Sequence, residues 1–277
     1  MYDEESQKKR KINISTFVAL LICAFHLIPF YIMIGVALKS PYDTSSRWVF
    51  PGYLFLDNFK EAIRYGNILQ SILSNVIITG GAVIGITVVG ALAAYPLARN
   101  QTRFNKGVRT FSLGMMMVPA LSLLVPLYSL MVKIQGISTY WGIILVLVTF
   151  QLPTSIFLYT NFIVSIPTSL DEAAAIDGCS KLRIFFSIIL PQLKPVTASV
   201  IIMTGVGCWN DYMFSLYFLQ SPQIKTVTLS VASFFTQTQS NMGAAAAGAL
   251  LGIVPIVALY LCLQKYFVKG MVDSAIK

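Results

Sequence analysis

From Tyr65 to Ala98 the chain runs without a single Asp, Glu, Lys or Arg. About 20 helical residues cross the hydrocarbon core of a bilayer. As one helix this stretch is longer than a crossing needs, so part of it must tilt or protrude. Similar uncharged runs recur along the chain. They predict membrane helices over 14–38, 71–98, 108–132, 141–165, 195–219 and 244–266. Only 11% of the residues are charged, against about 25% in soluble domains. The expected fold class is all-α: a polytopic membrane protein with six transmembrane helices. One domain over 14–270 is expected, with tails at 1–13 and 271–277.

The first apolar run extends from Ile12 to Leu38 behind a basic flank. It exceeds the h-region of a signal peptide and no clear A-x-A site follows, so it reads as an uncleaved span. Lys and Arg then set the direction. One set of connections holds Lys8, Lys9, Arg10 and Lys11, then Arg99, Arg103, Lys106 and Arg109, then Lys181, Arg183 and Lys194, then Lys265, Lys269 and Lys277, 14 in all. The other holds Lys39, Arg47, Lys60 and Arg64, then Lys133, then Lys225, 6 in all. The positive-inside rule puts both termini in the cytoplasm. The net charge of +9 is scattered between apolar runs with no basic, aromatic-studded patch. It fits topology signals and lipid headgroups, not nucleic acid.

Several chemistries are missing. No G-x-x-x-x-G-K-[ST] occurs, so the P-loop route to nucleotide hydrolysis is closed. There is no HExxH, no GxSxG and no Cys/His arrangement, so no catalytic residues are expected. Cys23, Cys179, Cys208 and Cys262 lack metal-ligand spacing and read as buried structural thiols, with no metal site. His26, the one histidine, lies mid-span without an acidic neighbour and reads as a neutral packing group, although an ionisable group in a span is a functional hypothesis by default. Asp211 is the only carboxylate near a span interior. A proton- or sodium-coupled carrier would need more. The chain offers a passage and no energy source, so energy has to come from a partner. The alternative is a stand-alone secondary transporter; an intramembrane enzyme would need a catalytic constellation.

Within the spans, "GAVIG" (Gly81, Gly85) and "GALLG" (Gly248, Gly252) are small-xxx-small patterns for close helix packing. Pro29, Pro119, Pro126, Pro153 and Pro255 lie inside expected spans and free backbone carbonyls there, which hints at bent helices.

The stretch "SLDEAAAIDGCSKLRIFFSIILPQLKP", Ser169 to Pro195, breaks the apolar pattern. Ser169 and Glu172 form a capping-box pattern, and Asp171 and Glu172 suit the helix N-terminus. Ala173 to Ala175 favour helix and leave a smooth face. Gly178 suits a left-handed C′ position. A second helix is expected from about Ser180 to Leu190, with Pro191 and Pro195 marking the turn into the fifth span. Such an element can dock into a partner's groove or lie on the headgroups.

These residues closely resemble the EAA loop of permease subunits in binding-protein-dependent ABC importers, with pattern EAA-x-x-DGA…F-x-x-I-x-LP-x-x-x-P. Glu172, Ala173, Ala174, Asp177, Gly178, Phe186, Ile189, Leu190, Pro191 and Pro195 fall in register; Cys179 replaces the usual alanine. "LDNFKEAI", "AAYPLAR", "MMMVPALSLLVPLYSL", "WNDYMFSL" and "QKYFVKG" resemble the carbohydrate branch, in the class of the second maltose-type permease subunit. The ending "MVDSAIK" departs from it.

The resemblance implies a type I ABC importer permease fold in a prokaryotic cell membrane and a sugar as cargo. It implies a second homologous permease subunit, two ATP-binding cassette ATPase subunits and an extracellular sugar-binding protein. ATP and Mg would be used by the ATPases, and this chain would bind no cofactor. The loop 166–195 would hold the coupling helix, with Glu172, Ala173, Ala174, Asp177 and Gly178 as its ATPase-coupling residues. Trp209, Asn210 and Asp211 resemble a family motif at the outer end of the fifth span. With Gln151 and Asn75 they are the substrate-path candidates, and Tyr95 is a weaker one. The loop from Gln220 to Met242 would face the binding protein.

Overall fold

The structure is a computed structural model that describes residues 2–235 and 241–275, with side chains over 15–235 and 241–264. The helices are α1 (Tyr2–Ala37), α2 (Asp57–Arg64), α3 (Ile68–Arg99), α4 (Arg103–Met115), α5 (Leu124–Lys133), α6 (Tyr140–Ser165), α7 (Ser169–Ile176), α8 (Lys181–Ile184), α9 (Leu190–Gln192), α10 (Lys194–Trp209), α11 (Met213–Phe218), α12 (Val227–Ala232) and α13 (Met242–Ala275). A 3₁₀ turn (Ala120–Leu123) precedes α5, and a π turn (Phe185–Ile189) joins α8 to α9. Among the described residues four helices are long and apolar enough to cross a membrane, and six crossings result if each of two bent pairs counts as one.

The bent pairs correct two expected spans. The run 108–132 is not one helix: Arg103–Met115 and Ala120–Lys133 meet at 99°. Pro119, extended at ψ 120°, sits at this break. Pro126 falls in the first turn of α5, while Pro29, Pro153 and Pro255 lie inside unbroken helices. The run 195–219 is also too long. α10 stops at Trp209 because the Asp211 carboxylate starts a new helix, accepting from the amides of Phe214 (3.3 Å) and Ser215 (2.8 Å) and from Ser215 Oγ (2.8 Å). On its other side α10 meets the segment Lys181–Gln192 at 74° across Leu193. The expected tails change too: α1 begins at Tyr2, and α13 continues through 271–275.

Two compact units make up the chain. The first comprises residues 1–68 and 231–251. In it, the buried Asn58 of α2 donates through Nδ2 to the carbonyls of Ala37 (2.9 Å) and Lys39 (2.8 Å), and so fixes the exit of α1. The Lys39 ammonium donates to Ser45 Oγ and to the Ser46 carbonyl. Hydrogen bonds from Ser45 and Tyr53 hold the Asp43 carboxyl down at about 2. His26 is exposed and donates through Nδ1 to the Ile22 carbonyl at 2.8 Å, a bond within its own helix.

The second unit comprises 69–230 and 252–277. Its core sets Ile78, Ala82 and Ile86 of α3 against Ile143, Val146 and Leu147 of α6. The "GAVIG" glycines explain the fit. A Cβ on Gly81 would lie 2.8 Å from Ile144 Cδ1, and one on Gly85 would lie 3.0 Å from Val148 Cγ2. The two helices meet four residues apart on each side, as a small-residue seam requires. Gly90 continues it against Ser155, whose hydroxyl donates to the Ile86 carbonyl. Of the cysteines only Cys208 is buried; Cys179 is half-buried and Cys23 and Cys262 are exposed, against the expectation of four buried thiols. Among the described residues no His, Cys, Asp or Glu group could hold a metal.

Candidate functional site

The charged stretch forms a short helix tied back at both ends. α7 starts one residue earlier than a capping box requires. Thr168 is already helical (φ −66°, ψ −22°), its carbonyl accepts from the Glu172 amide, and no side-chain cap bond forms. Ser169 is thus the first helical residue, and its pairing with Glu172 is not made. The far end behaves as the sequence predicts. Gly178 has φ +79°, its amide reaches the Ala175 carbonyl (3.1 Å), and the Cys179 amide reaches the Ala174 carbonyl (2.9 Å). These two bonds make a Schellman motif. Cys179, where the family pattern has alanine, packs partly into the core beside buried Ala174. Ser180 then caps α8 by accepting from the Arg183 amide.

Burial divides α7 into two faces. Ala174 is buried within the chain, which removes it from any smooth outer face formed with Ala173. Outward lie Glu172, Ala173, Asp177 and Gly178, with Ile176 at 87% exposure. A large aliphatic side chain and two carboxylates thus stand in the open on α7.

The inward side holds what the sequence did not reveal. Arg99, the last residue of α3, grips Asp171 through Nη2 to Oδ2 (2.8 Å) and Nε to Oδ1 (3.3 Å). Its Nη1 donates to the Ile166 carbonyl at the end of α6 (2.9 Å). Tyr95 Oη donates to Asp171 Oδ1 (2.8 Å). Both charged side chains are largely covered, at 11% and 16% exposure. The Tyr95 ring lies 5.4 Å from that of Phe185 in the π turn. Tyr95 is therefore fastened to α7. One signal was available: Tyr95 and Arg99 are four apart on a helix and share a face. An open cleft of about 530 Å³ lies beside this cluster.

The substrate-path candidates separate. Trp209 is buried, not presented at an interface; its Nε1 donates to the Gly252 carbonyl of α13 at 3.2 Å. Its own carbonyl accepts from Nδ2 of the fully buried Asn75 at 3.0 Å. These two residues lock α3, α10 and α13 together. Asp211 is spent on α11, and its carbonyl accepts from the Thr228 hydroxyl. Gln151 is half-buried against Gly207, and Asn210 is exposed. The loop from Gln220 is not simply solvated: α12 forms inside it with Val227 and Ser230 buried. Residues 236–240 of that loop lie outside the described residues.

Comparison with known proteins places this bundle of apolar helices and the short helix fastened to it by Arg99 and Asp171. The family described as "Binding-protein-dependent transport system inner membrane component" matches residues 86–273. The chain is 40% identical to the melibiose/raffinose/stachyose import permease protein MelC of Bacillus subtilis, over 98% of each chain. It is 32% identical to the multiple sugar-binding transport system permease protein MsmG of Streptococcus mutans, over 98% of this chain and 100% of that one. In fold it matches a chain of a bacterial ABC transporter involved in the import of the acidic polysaccharide alginate. That match has TM-score 0.79 at 20% identity and covers 93% and 97% of the two chains. A chain of the MetNI methionine ABC transporter matches with TM-score 0.61 at 15% identity, over 73% and 95%.

The chain belongs to the binding-protein-dependent transport system inner membrane components. It is a multi-pass permease subunit of an ABC importer; ATP hydrolysis lies in separate subunits, and the stand-alone transporter reading falls away.

Proposed function

We propose that this chain imports a sugar, forming half of the translocation path beside a second, homologous permease subunit. Two ATPase subunits and an extracellular sugar-binding protein complete the assembly, and the ATPases use the ATP and Mg. Relatives named for melibiose, raffinose and stachyose and for multiple sugars support the cargo class. Both termini and α7 lie on the cytoplasmic side in this reading, which the 14-to-6 Lys and Arg bias supports.

α7 is the coupling helix. The observation that carries this is its outward face: Glu172, Ala173, Ile176 and Asp177 stand free while the opposite face is fastened to the bundle. Glu172 and Asp177 pair with basic groups in the ATPase cleft, Ala173 allows close approach, and Gly178 sets the elbow. Ala174 contributes by packing inward. Asn210 and Gln151 are the polar groups proposed for the path, suited to sugar hydroxyls. The test is ATPase binding and substrate-stimulated ATP hydrolysis in the reconstituted complex. Glu172→Lys and Gly178→Pro are expected to lose both while the chain stays in the membrane. If both variants assemble and respond normally, α7 is only a surface helix.

A further inference from the structure

We infer that Arg99, Tyr95 and Asp171 form a latch through which movement of α7 passes directly into α3, making them positioning residues of energy coupling; this rests on the coupling-helix reading above. The covalent routes from α7 run back to α6 across residues 166–168 and onward through Gly178 to α8, the π turn and α10, and neither leads directly into α3. On the α10 side a glycine at φ +79° with nothing within 4 Å of its Cβ position is a poor lever. The latch supplies a stiff attachment to α3.

Its geometry suits the task. The Arg99 fork meets both oxygens of one carboxylate, the arrangement that fixes direction as well as distance. The third nitrogen holds the Ile166 carbonyl, so one guanidinium joins the end of α3, the end of α6 and the first turn of α7. Tyr95, one turn back on α3, fixes the same carboxylate from a second point. Phe185, buried beneath Tyr95, ties the cluster to the π turn. Asp171 sits on the face of α7 opposite the exposed Asp177 and Ile176. Contact with an ATPase on the outer face would therefore leave the latch undisturbed and load it. A lysine at 99 keeps the charge but cannot make the fork.

The experiment uses the full complex with its ATPase subunits and binding protein, with the native cysteines replaced. Spin labels are placed on exposed Asn100 and Ser169, which flank the latch on α3 and α7. The interspin distance is compared without nucleotide and after trapping with Mg, ATP and vanadate. In the otherwise native complex the distance is expected to stay the same, because the two helices move as one body. In Asp171→Asn and in Arg99→Lys it is expected to change on trapping, with ATP hydrolysis retained and no longer stimulated by the loaded binding protein. Tyr95→Phe should give an intermediate response. A distance that changes in the native latch overturns the proposal, as does one that stays fixed in both variants. Co-purification of the ATPases with Glu172→Lys is scored separately. If that variant binds them normally, the coupling-helix reading fails; if it loses them while the latch variants stay fixed, only the latch fails.

Discussion

At Arg99, α3 is joined to its neighbours through a covered ion pair; at Asn75, about 36 Å away along the same helix at 1.5 Å per residue, it is joined through an amide and an indole. The first junction holds a piece of chain that lies outside the bundle. The second draws together three helices of the bundle itself, α3, α10 and α13. The difference follows from solvent. Within the apolar bundle a charge is expensive, so neutral donors and carbonyls make the bond. At a helix end next to a polar stretch a charge pair can be kept, and it gives greater directional hold than an amide can. Strong fastening of α7 and modest fastening of the bundle suit a machine whose helices rearrange while their handle does not.

The largest effect is expected from Asp171→Ala. It leaves the Arg99 guanidinium largely covered with only the Ile166 carbonyl as partner, and losing one side of a largely covered, hydrogen-bonded charge pair costs about 2 kcal/mol or more. In a chain with Cys23, Cys179 and Cys262 replaced, a thiol-reactive dye that reports exposure of buried Cys208 on heating would measure it. Trp209→Phe removes one neutral bond and little volume, so about 1 kcal/mol is expected in the same assay. Equal losses in the two variants would break the comparison, because the charged junction would then hold no harder than the neutral one.

Much of this layout was readable in advance, and the exceptions share a cause. The uncharged run before Arg99 could only be a long helix, and Asp177-Gly178 announced its left-handed turn. The Ser169–Glu172 cap failed because the pattern encodes a local preference, while Pro167 and Thr168 had already started the helix one residue earlier. The break at Pro119 was hidden by equal apolarity on both sides. The pairing of Asp171 with Arg99 joins residues 72 apart, and nothing in either neighbourhood names the other. The burial of Trp209 was hidden for a related reason: it depends on where α10 stops, and the cap that stops it is made by Asp211.

The smallest effect tests whether an ion pair by itself explains the latch. Among the described residues the only other ion pair is Lys60 with Asp57, 2.7 Å apart in α2, with side chains 67% and 59% exposed. Its distance is as short as that at Arg99, so geometry alone would rank the two alike. Water and salt separate them. Exposed pairs spend side-chain freedom to gain a screened attraction, and pairs at this helical spacing are worth about 0.5 kcal/mol or less. Lys60→Ala should therefore leave the unfolding midpoint within error of the parent, while raising salt to about 1 M, where screening acts within roughly 3 Å, should remove what difference there is. The loss in Asp171→Ala should persist at that salt, since covered charges are screened much less. If salt reduces both losses in proportion, the Arg99–Asp171 pair is hydrated in solution and the stiffness assigned to the latch must come from Tyr95 and Phe185 instead.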